Sequence, residues 1–196
     1  MIESITRTID EKILLLEKLK DCQYLQQISN AINAMVDSLK HGNKIILAGN
    51  GGSAADAQHF AGELMGRFMK ERAALPAISL CVDPSVTTCI GNDYGYEMIF
   101  ERQIAGIGQE GDCFIAISTS GNSENLVRAV EAAKGKQIIT IGLLGKDGGI
   151  LKNLCDYVLV VPSDETPRIQ EIHTFTVHVM CEGIENEIFK NNLENR

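Results

Sequence analysis

The sequence predicts an α/β fold: a three-layer sandwich in which helices cover both faces of a five-stranded parallel sheet, with two further helices at the N-terminus. Short apolar segments alternate with segments of helical periodicity, which is typical of parallel strands and their crossover helices. Because these strands read as nearly continuous apolar runs, both faces of the sheet are expected to be buried. The predicted strands are residues 45–48, 77–82, 113–117, 137–142 and 157–161.

Two amphipathic helices are predicted before the first strand, over residues 3–20 and about 25–39. Neither carries a candidate site residue, so we interpret the pair as a packing or assembly element. The chain shows no linker, repeat or low-complexity tract. We therefore expect residues 1–196 to form a single domain, with 1–42 as an N-terminal helical pair. The tail from residue 190 is expected to be frayed.

Composition argues against two classes of partner. The formal net charge of −8 disfavours nucleic acid or an anionic membrane, so an anionic ligand would need a local device such as oriented N–H groups. The longest apolar runs are far shorter than a bilayer span, and the N-terminus lacks the apolar core of a signal peptide.

The six cysteines are scattered without a C-x-x-C pair, which favours reduced thiols in a cytoplasmic protein.

Two glycine- and serine-rich turns each follow a predicted strand. GNGGS, residues 49–53, follows the first strand, and Ser53 is the expected N-cap of the next helix. STSGNS, residues 118–123, follows the third strand. Ligands of such sheets bind at the carboxyl ends of the strands, beside the switch point. We therefore expect the two turns to line the same edge.

The second turn is the stronger phosphate candidate. It combines four hydroxyl groups with a glycine that permits close backbone approach, and a helix N-terminus follows, whose dipole favours an anion. An ordinary capping turn is the alternative, because Ser and Asn cap many helices. The density of hydroxyls favours a phosphate site. Those hydroxyls belong to Ser118, Thr119, Ser120 and Ser123.

The first turn also fits the dinucleotide fingerprint G-x-G-x-x-A. That fingerprint requires an acidic residue about 20 positions further on, at the end of the second strand. The acid at that place is Asp83, which lies well beyond the required distance, and the chain has no Walker lysine motif. A nucleotide site is poorly supported.

His59 and Glu63 lie four residues apart and so project from one face of the helix after the first turn. An imidazole and a carboxylate at this spacing suit Zn²⁺ or another divalent transition metal, although such pairs are often plain surface pairs. The last helix offers further candidates, of which His178 has apolar neighbours and, taken alone, is interpreted as a core histidine. These candidates are Gln170, Glu171, His173 and His178.

The motifs GNGGSAADAQHFAGEL, GND, STSGNS, GKDGG and RIQEIH-x4-H together resemble those of the phosphoheptose isomerases, in the sugar isomerase (SIS) domain superfamily. The resemblance covers nearly the whole chain. It implies a flavodoxin-like SIS fold and the conversion of sedoheptulose 7-phosphate to D-glycero-D-manno-heptose 7-phosphate through an enediol, for bacterial lipopolysaccharide or capsule. It also implies a cytoplasmic homotetramer with active sites between subunits and one Zn²⁺ per subunit.

The resemblance assigns roles to individual residues. The implied phosphate-holding hydroxyls are those of STSGNS. The implied sugar contacts are Asn50, Gly51, Gly52, Ser53, Glu63, Asn92, Asp93 and Gln170. The implied metal ligands are His59, Glu63, Gln170 and His178. Glu63 and His178 are also the implied acid–base pair. The chain departs from some family members in GLLGKDGG and at Pro167, and neither departure touches the matched site.

Ketose–aldose isomerisation requires groups that transfer protons, such as a carboxylate and an imidazole. Glu63 would move the proton bound to carbon, and His178 would serve the oxygens or ring opening. A metal in the same cluster could polarise the carbonyl, but a residue that ligates metal is a poorer base, so the two roles compete. Gln170 and His178 are also about 12 Å apart along one helix, so ligands from different chains are an alternative.

A second hypothesis is a non-catalytic SIS protein: a phosphosugar-binding regulator, or the protein associated with the replication initiator DnaA. The initiator-associated protein is expected to lack the glutamate and the final histidine of the isomerases. Glu63 and His178 are both present here, which favours the enzyme. Fold alone could not decide between them.

Overall fold

The sheet runs in the order β2-β1-β3-β4-β5, with every neighbouring pair parallel. The structure is a computed structural model and describes residues 1–190. From β1 the chain passes to β2 on one side and then crosses to β3 on the other, so the switch point lies between β1 and β3. The predicted α/β fold is confirmed. The strands are β1 Ile45–Gly49, β2 Ala77–Ser79, β3 Cys113–Ser118, β4 Ile139–Gly145 and β5 Tyr157–Val161.

Helices cover both faces of this sheet, as predicted. A short 3₁₀ turn, Tyr96–Met98, lies before α5. Within residues 1–190, no helix is both long and apolar enough to cross a membrane. The helices are α1 Ile2–Lys18, α2 Cys22–Lys40, α3 Gly52–Met65, α4 Pro84–Tyr94, α5 Glu101–Ile107, α6 Glu124–Gly135, α7 Leu151–Leu154 and α8 Thr166–Ile188.

Each face of the sheet buries its own apolar core. Ile45 and Leu47 of β1 pack with side chains of α2, α3 and α8. Ile46 and Ala48, which point the other way, pack with side chains of α5, α6 and α7. The division follows from strand geometry, since successive side chains project to opposite faces. Both faces of the sheet are therefore covered by apolar packing, and the polar turns lie at its carboxyl edge.

Several predicted boundaries differ from the structure. The second strand is only three residues long; it lies at the edge of the sheet and pairs with β1 alone. The fourth strand begins later than predicted, since Gln137 adopts a positive φ of 59° in the turn after α6. Residues 91–94 form the last turn of α4. That helix ends at Gly95, which has a φ of +100°; a residue with a side chain would be strained in this conformation.

The N-terminal helices form close to their predicted bounds. Leu15 and Leu19 bury α1 against the core, but Ile5, Ile9 and Ile13 stay 52–55% exposed along one stripe. A contiguous apolar stripe of this kind is typical of an interaction surface. The organisation of residues 1–196 as one domain stays a prediction. Apart from Lys190, the predicted frayed tail lies outside the described residues.

Candidate active site

The two glycine- and serine-rich turns meet at one edge of the sheet, beside the switch point. Asn50, in the first turn, forms a reciprocal amide pair with Asn125 of α6, with N···O distances of 3.0 and 2.9 Å. Tyr96 donates its hydroxyl to the same Asn50 Oδ1 at 2.9 Å. These three contacts fix the orientation of the Asn50 amide.

A cleft of about 680 Å³ opens beside this amide pair. Arg128 supplies a cation at its wall, and its Nε donates to Glu124 Oε1 at 2.9 Å. Arg128 Nη1 also lies 3.9 Å from Glu101 Oε2, so two carboxylates compensate its charge. The side chains that line the cleft carry hydroxyl, amide and charged groups, which suit a hydroxyl-rich ligand. It is lined by Asn50, Tyr96, Glu97, Ser123, Glu124, Asn125 and Arg128.

The STSGNS turn is held by its own hydroxyls. The backbone N–H of Gly121 donates to Ser118 Oγ at 3.0 Å, and Ser118 Oγ lies 3.3 Å from Ser123 Oγ. Asn122 N–H donates to Ser120 Oγ at 3.2 Å. Ser118 is buried and shapes the turn, whereas Thr119, Ser120 and Ser123 are half-buried.

Glycine is required in the middle of this turn. Gly121 has a φ of +66°, and a Cβ there would collide with the backbone carbonyl of Gly148. The GKDGG segment therefore packs directly on the STSGNS turn. This contact gives that motif a structural role beside the cleft.

The GNGGS turn differs in one respect from its prediction. The helix begins at Gly52 with Gly51 as its N-cap, so Ser53 lies in the first turn and is buried. The expectation that Ser53 caps α3 was wrong. Gly51 takes a φ of 57°, a conformation open to glycine, and the helix starts earlier as a result.

Helices α3 and α8 run parallel and meet at three successive levels. Gln170 lies so close to Gly52 that a Cβ at position 52 would overlap its amide. One turn further on, Thr174 Oγ1 donates to Asp56 Oδ1 at 2.7 Å. The third level brings His178 to the side chain of His59. Gln170 therefore lies at the N-terminus of α3, about two turns away from His178.

The third level is a compact cluster of His59, Glu63 and His178, whose ligand-type atoms all lie within 4.8 Å of one another. The Nε2 atoms of the two histidines are 2.8 Å apart, and His59 Nε2 lies 3.6 Å from Glu63 Oε1. The side chains of His59 and Glu63 are 43% and 25% exposed, so the cluster is open to solvent. Two imidazoles and a carboxylate fit a transition metal such as Zn²⁺, with a coordination position left for another ligand.

The core histidine of α8 is His173 and not His178. His173 is 1% exposed, and its Nε2 lies 3.0 Å from the carbonyl oxygen of Leu144, which can only accept. Its Nδ1 is buried without a partner among the described residues. Burial lowers the pKa of His173, although the Leu144 carbonyl and the Asp56 charge act in the opposite direction. His173 is therefore held as the neutral Nε2–H tautomer.

This histidine makes stability sensitive to acid. Because its pKa is lower in the folded chain than in the unfolded one, its stabilisation is fully present above about pH 6.5 and is lost as the pH falls through the lowered value. We expect His173→Gln, which keeps a donor for the Leu144 carbonyl, to flatten this dependence by up to about 1.4 kcal/mol per pH unit. Denaturant unfolding from pH 7.5 to 5, at one protein concentration, measures it. Equal slopes for both proteins would contradict the assignment.

Three other sequence candidates lie outside the cluster. Asn92 and Asp93 are exposed on the last turn of α4 and hydrogen-bond each other at 2.8 Å. Within residues 1–190, no hydrogen bond joins either of them to Asn50 or to the histidine–glutamate cluster. Glu171 pairs with Arg168 at 2.9 Å. Asp83, the acid weighed for a nucleotide site, instead caps α4 by accepting backbone N–H bonds.

Sequence reasoning did not single out Tyr96, Asn125 or Arg128. Asn125 lies in the first turn of the helix after STSGNS, and this position was the available signal. Tyr96 and Arg128 carry no comparable signal, because only the fold brings them beside Asn50.

The fold and the polar turns at its carboxyl edge define the class of protein. The SIS domain family profile matches residues 9–145, so the chain belongs to the SIS domain family.

The particular family follows from closer relatives. The phosphoheptose isomerase of Clostridium acetobutylicum is 54% identical over 171 residues, covering 87% of each chain. That of a Nitratiruptor species is 53% identical, covering 94% of this chain and 98% of the relative. A solved phosphoheptose isomerase structure from Francisella tularensis matches with a TM-score of 0.91 at 38% identity, covering 94% and 98% of the two chains. The chain belongs to the phosphoheptose isomerase family, and the prediction of an enzyme over a non-catalytic SIS protein is confirmed.

Proposed function

We propose that this protein isomerises sedoheptulose 7-phosphate to D-glycero-D-manno-heptose 7-phosphate through an enediol, and so supplies heptose for bacterial lipopolysaccharide or capsule. The observation that carries the proposal is the cluster of His59, Glu63 and His178. It combines a carboxylate and two imidazoles, the groups that move protons near neutral pH. The names of the relatives support the substrate.

Glu63 is the proposed base for the carbon-bound proton. It would take the proton next to the carbonyl and return it to the neighbouring carbon. His178, whose Nε2 meets His59, would move protons on the oxygens or assist ring opening. When bound at His59, Glu63 and His178, Zn²⁺ would supply a Lewis acid for the negatively charged oxygen of the enediolate. Gln170, at the N-terminus of α3, joins this ligand set only by a long reach along α8 or from another subunit.

The remaining polar residues are proposed to hold the two ends of the substrate. The hydroxyls of STSGNS and the N-terminus of α6 would bind the phosphate group. The GNGGS turn and Gln170 would contact the sugar, with the Asn50 amide oriented by Asn125 and Tyr96. A second sugar contact through Asn92 and Asp93 completes the set.

The protein is further proposed to be a cytoplasmic homotetramer with active sites between subunits. The exposed stripe on α1, made of Ile5, Ile9 and Ile13, supports assembly because water contact with this much apolar surface is unfavourable. Phe175 on α8, 45% exposed, lies three residues before His178. A partner that covers Phe175 would therefore come close to the cluster.

The test is incubation with sedoheptulose 7-phosphate, with the aldose product detected by NMR. Unphosphorylated sedoheptulose and fructose 6-phosphate serve as matched substrates that lack the phosphate or one carbon. We expect turnover of the heptulose phosphate alone, reduced by thorough chelation and restored by Zn²⁺. Binding of the sugar phosphate without turnover by the zinc-loaded protein would overturn the catalytic proposal and favour a sensor. Activity unchanged by chelation would overturn the metal role.

A further inference from the structure

The imidazole of His178 is held by rings on two sides. Phe68 stacks on it, with the ring centroids 5.5 Å apart and the planes inclined by 27°. His59 approaches in an edge-to-face arrangement at 5.1 Å and 62°. Within residues 1–190, the one hydrogen bond of the His178 ring is at Nε2, so ring packing replaces the Nδ1 hydrogen bond that usually orients a metal-binding histidine.

The segment that carries Phe68 is tied to α8 by a buried carboxylate. Glu185 accepts the backbone N–H groups of Phe68, Met69 and Lys70 at 2.9–3.0 Å. Glu185 lies seven residues after His178, which places both side chains on the same face of α8. The segment after α3 is therefore laid across that face, with Phe68 beside His178.

Arg72 connects the same carboxylate to the end of α3. Its Nε donates to Glu185 Oε1 at 2.7 Å, and both side chains are almost fully buried, at 0% and 1% exposure. Its Nη groups donate to the carbonyls of Glu63 and Leu64 at 2.8 and 2.9 Å, in the last turn of α3. The Leu64 carbonyl also accepts the backbone N–H of Leu75 at 3.0 Å. One ion pair thus secures the end of the helix that carries His59 and Glu63.

Glu185 is held in its ionised form. Burial alone would raise its pKa, but the three backbone N–H groups and the Arg72 guanidinium outweigh burial and lower the pKa below its usual value. The ionised form of Glu185 suits this segment, because a carboxylate can accept several N–H bonds at once.

We propose that Phe68 is a positioning residue for the His59–Glu63–His178 cluster: its ring fixes the rotation of the His178 imidazole, and the Arg72–Glu185 pair holds Phe68 in place. The torsion that turns an imidazole ring is broad, so an unsupported ring would sample many orientations. Stacking on one face removes most of them and keeps Nε2 aimed at the cluster. The inference rests on the proposed metal-binding and acid–base function of this cluster.

The test uses Phe68→Leu, which keeps an apolar side chain but removes the ring. Metal-free protein is titrated with Co²⁺ alone, followed through the visible absorption of the bound ion. We expect Co²⁺ affinity to fall 10–100-fold and the absorption bands to change, as for the loss of other groups that orient metal ligands. In the zinc-loaded enzyme, kcat should fall while KM stays within about twofold, because the cluster and not the phosphate site is disturbed.

Two further variants make the result specific. Phe68→Tyr keeps the ring and should restore Co²⁺ affinity and kcat. Met69→Leu changes an exposed neighbour, 68% exposed, and should behave as the wild type. Equal Co²⁺ affinity and spectra in wild type and Phe68→Leu would overturn the inference and leave the proposed metal site standing. A wild type that binds no Co²⁺ would overturn the metal site and this inference together.

Discussion

Replacing Glu63 with glutamine is expected to lower kcat by about 10²–10⁴-fold, the range that a positioned general base contributes. The amide keeps the size of the side chain but cannot take a proton from carbon. Steady-state turnover of sedoheptulose 7-phosphate measures kcat and KM. Bound zinc is measured in parallel, because Glu63 also belongs to the proposed ligand set. A loss of kcat with full zinc content would identify Glu63 as the base, whereas a joint loss would identify it as a ligand.

Glu110→Gln is the matched control. Glu110 is exposed in the turn before β3, at the opposite edge of the sheet, and the same change there should leave kcat unaltered. Full turnover by the Glu63→Gln variant would exclude both roles for this carboxylate. The acid–base assignment would then have to move to the histidines.

Removing the carboxylate of Glu185 is expected to lower the free energy of unfolding by about 3–5 kcal/mol, the cost of breaking a buried ion pair from one side. In Glu185→Ala, the buried Arg72 guanidinium loses its counter-ion, and the N–H groups of Phe68, Met69 and Lys70 lose their acceptor. Because the pKa of Glu185 is lowered, its contribution is present above the unfolded-state pKa and declines as the pH falls through the folded value. Denaturant unfolding at neutral pH measures the change.

The control is Glu182→Ala, an exposed glutamate on the same helix, which should change stability by less than about 0.5 kcal/mol. Protein concentration is held constant, since assembly would couple unfolding to it. In a double-mutant cycle, the combined Arg72→Ala and Glu185→Ala protein should lose less than the sum of the single variants. Additive losses, or a small effect of Glu185→Ala, would contradict the role of this pair.

Local sequence patterns predicted much of the architecture. β1 was recognisable because a strand buried on both faces reads as an apolar run, and α3 because a polar turn precedes a helical segment. The predicted start of the fourth strand was wrong because a single backbone angle decides it: Gln137 adopts a positive φ of 59°, which no sequence pattern indicated.

The candidate site was likewise predicted only in part from the sequence. His59 and Glu63 were paired correctly on one helix face, because that spacing is a property of the helix itself. The family resemblance named His178 as the partner, but the local pattern could not choose between the two histidines of α8. His173 is buried against Leu144, whereas His178 meets His59. The expected grouping of Gln170 with His178 stays untested, since Gln170 lies at Gly52 in the single chain.

Sequence alone determined the alternation of strands and helices, the two turns at the sheet edge, the His59–Glu63 pair and the resemblance to the phosphoheptose isomerases. Each of these depends on residues that are neighbours along the chain or on motifs of fixed spacing. Packing of α8 against α3 decided which histidine completes the cluster, and packing of the segment after α3 placed Phe68 on that histidine. Those contacts join residues more than 100 positions apart, and they depend on the packing of α8 and of the segment after α3, which no local pattern encodes.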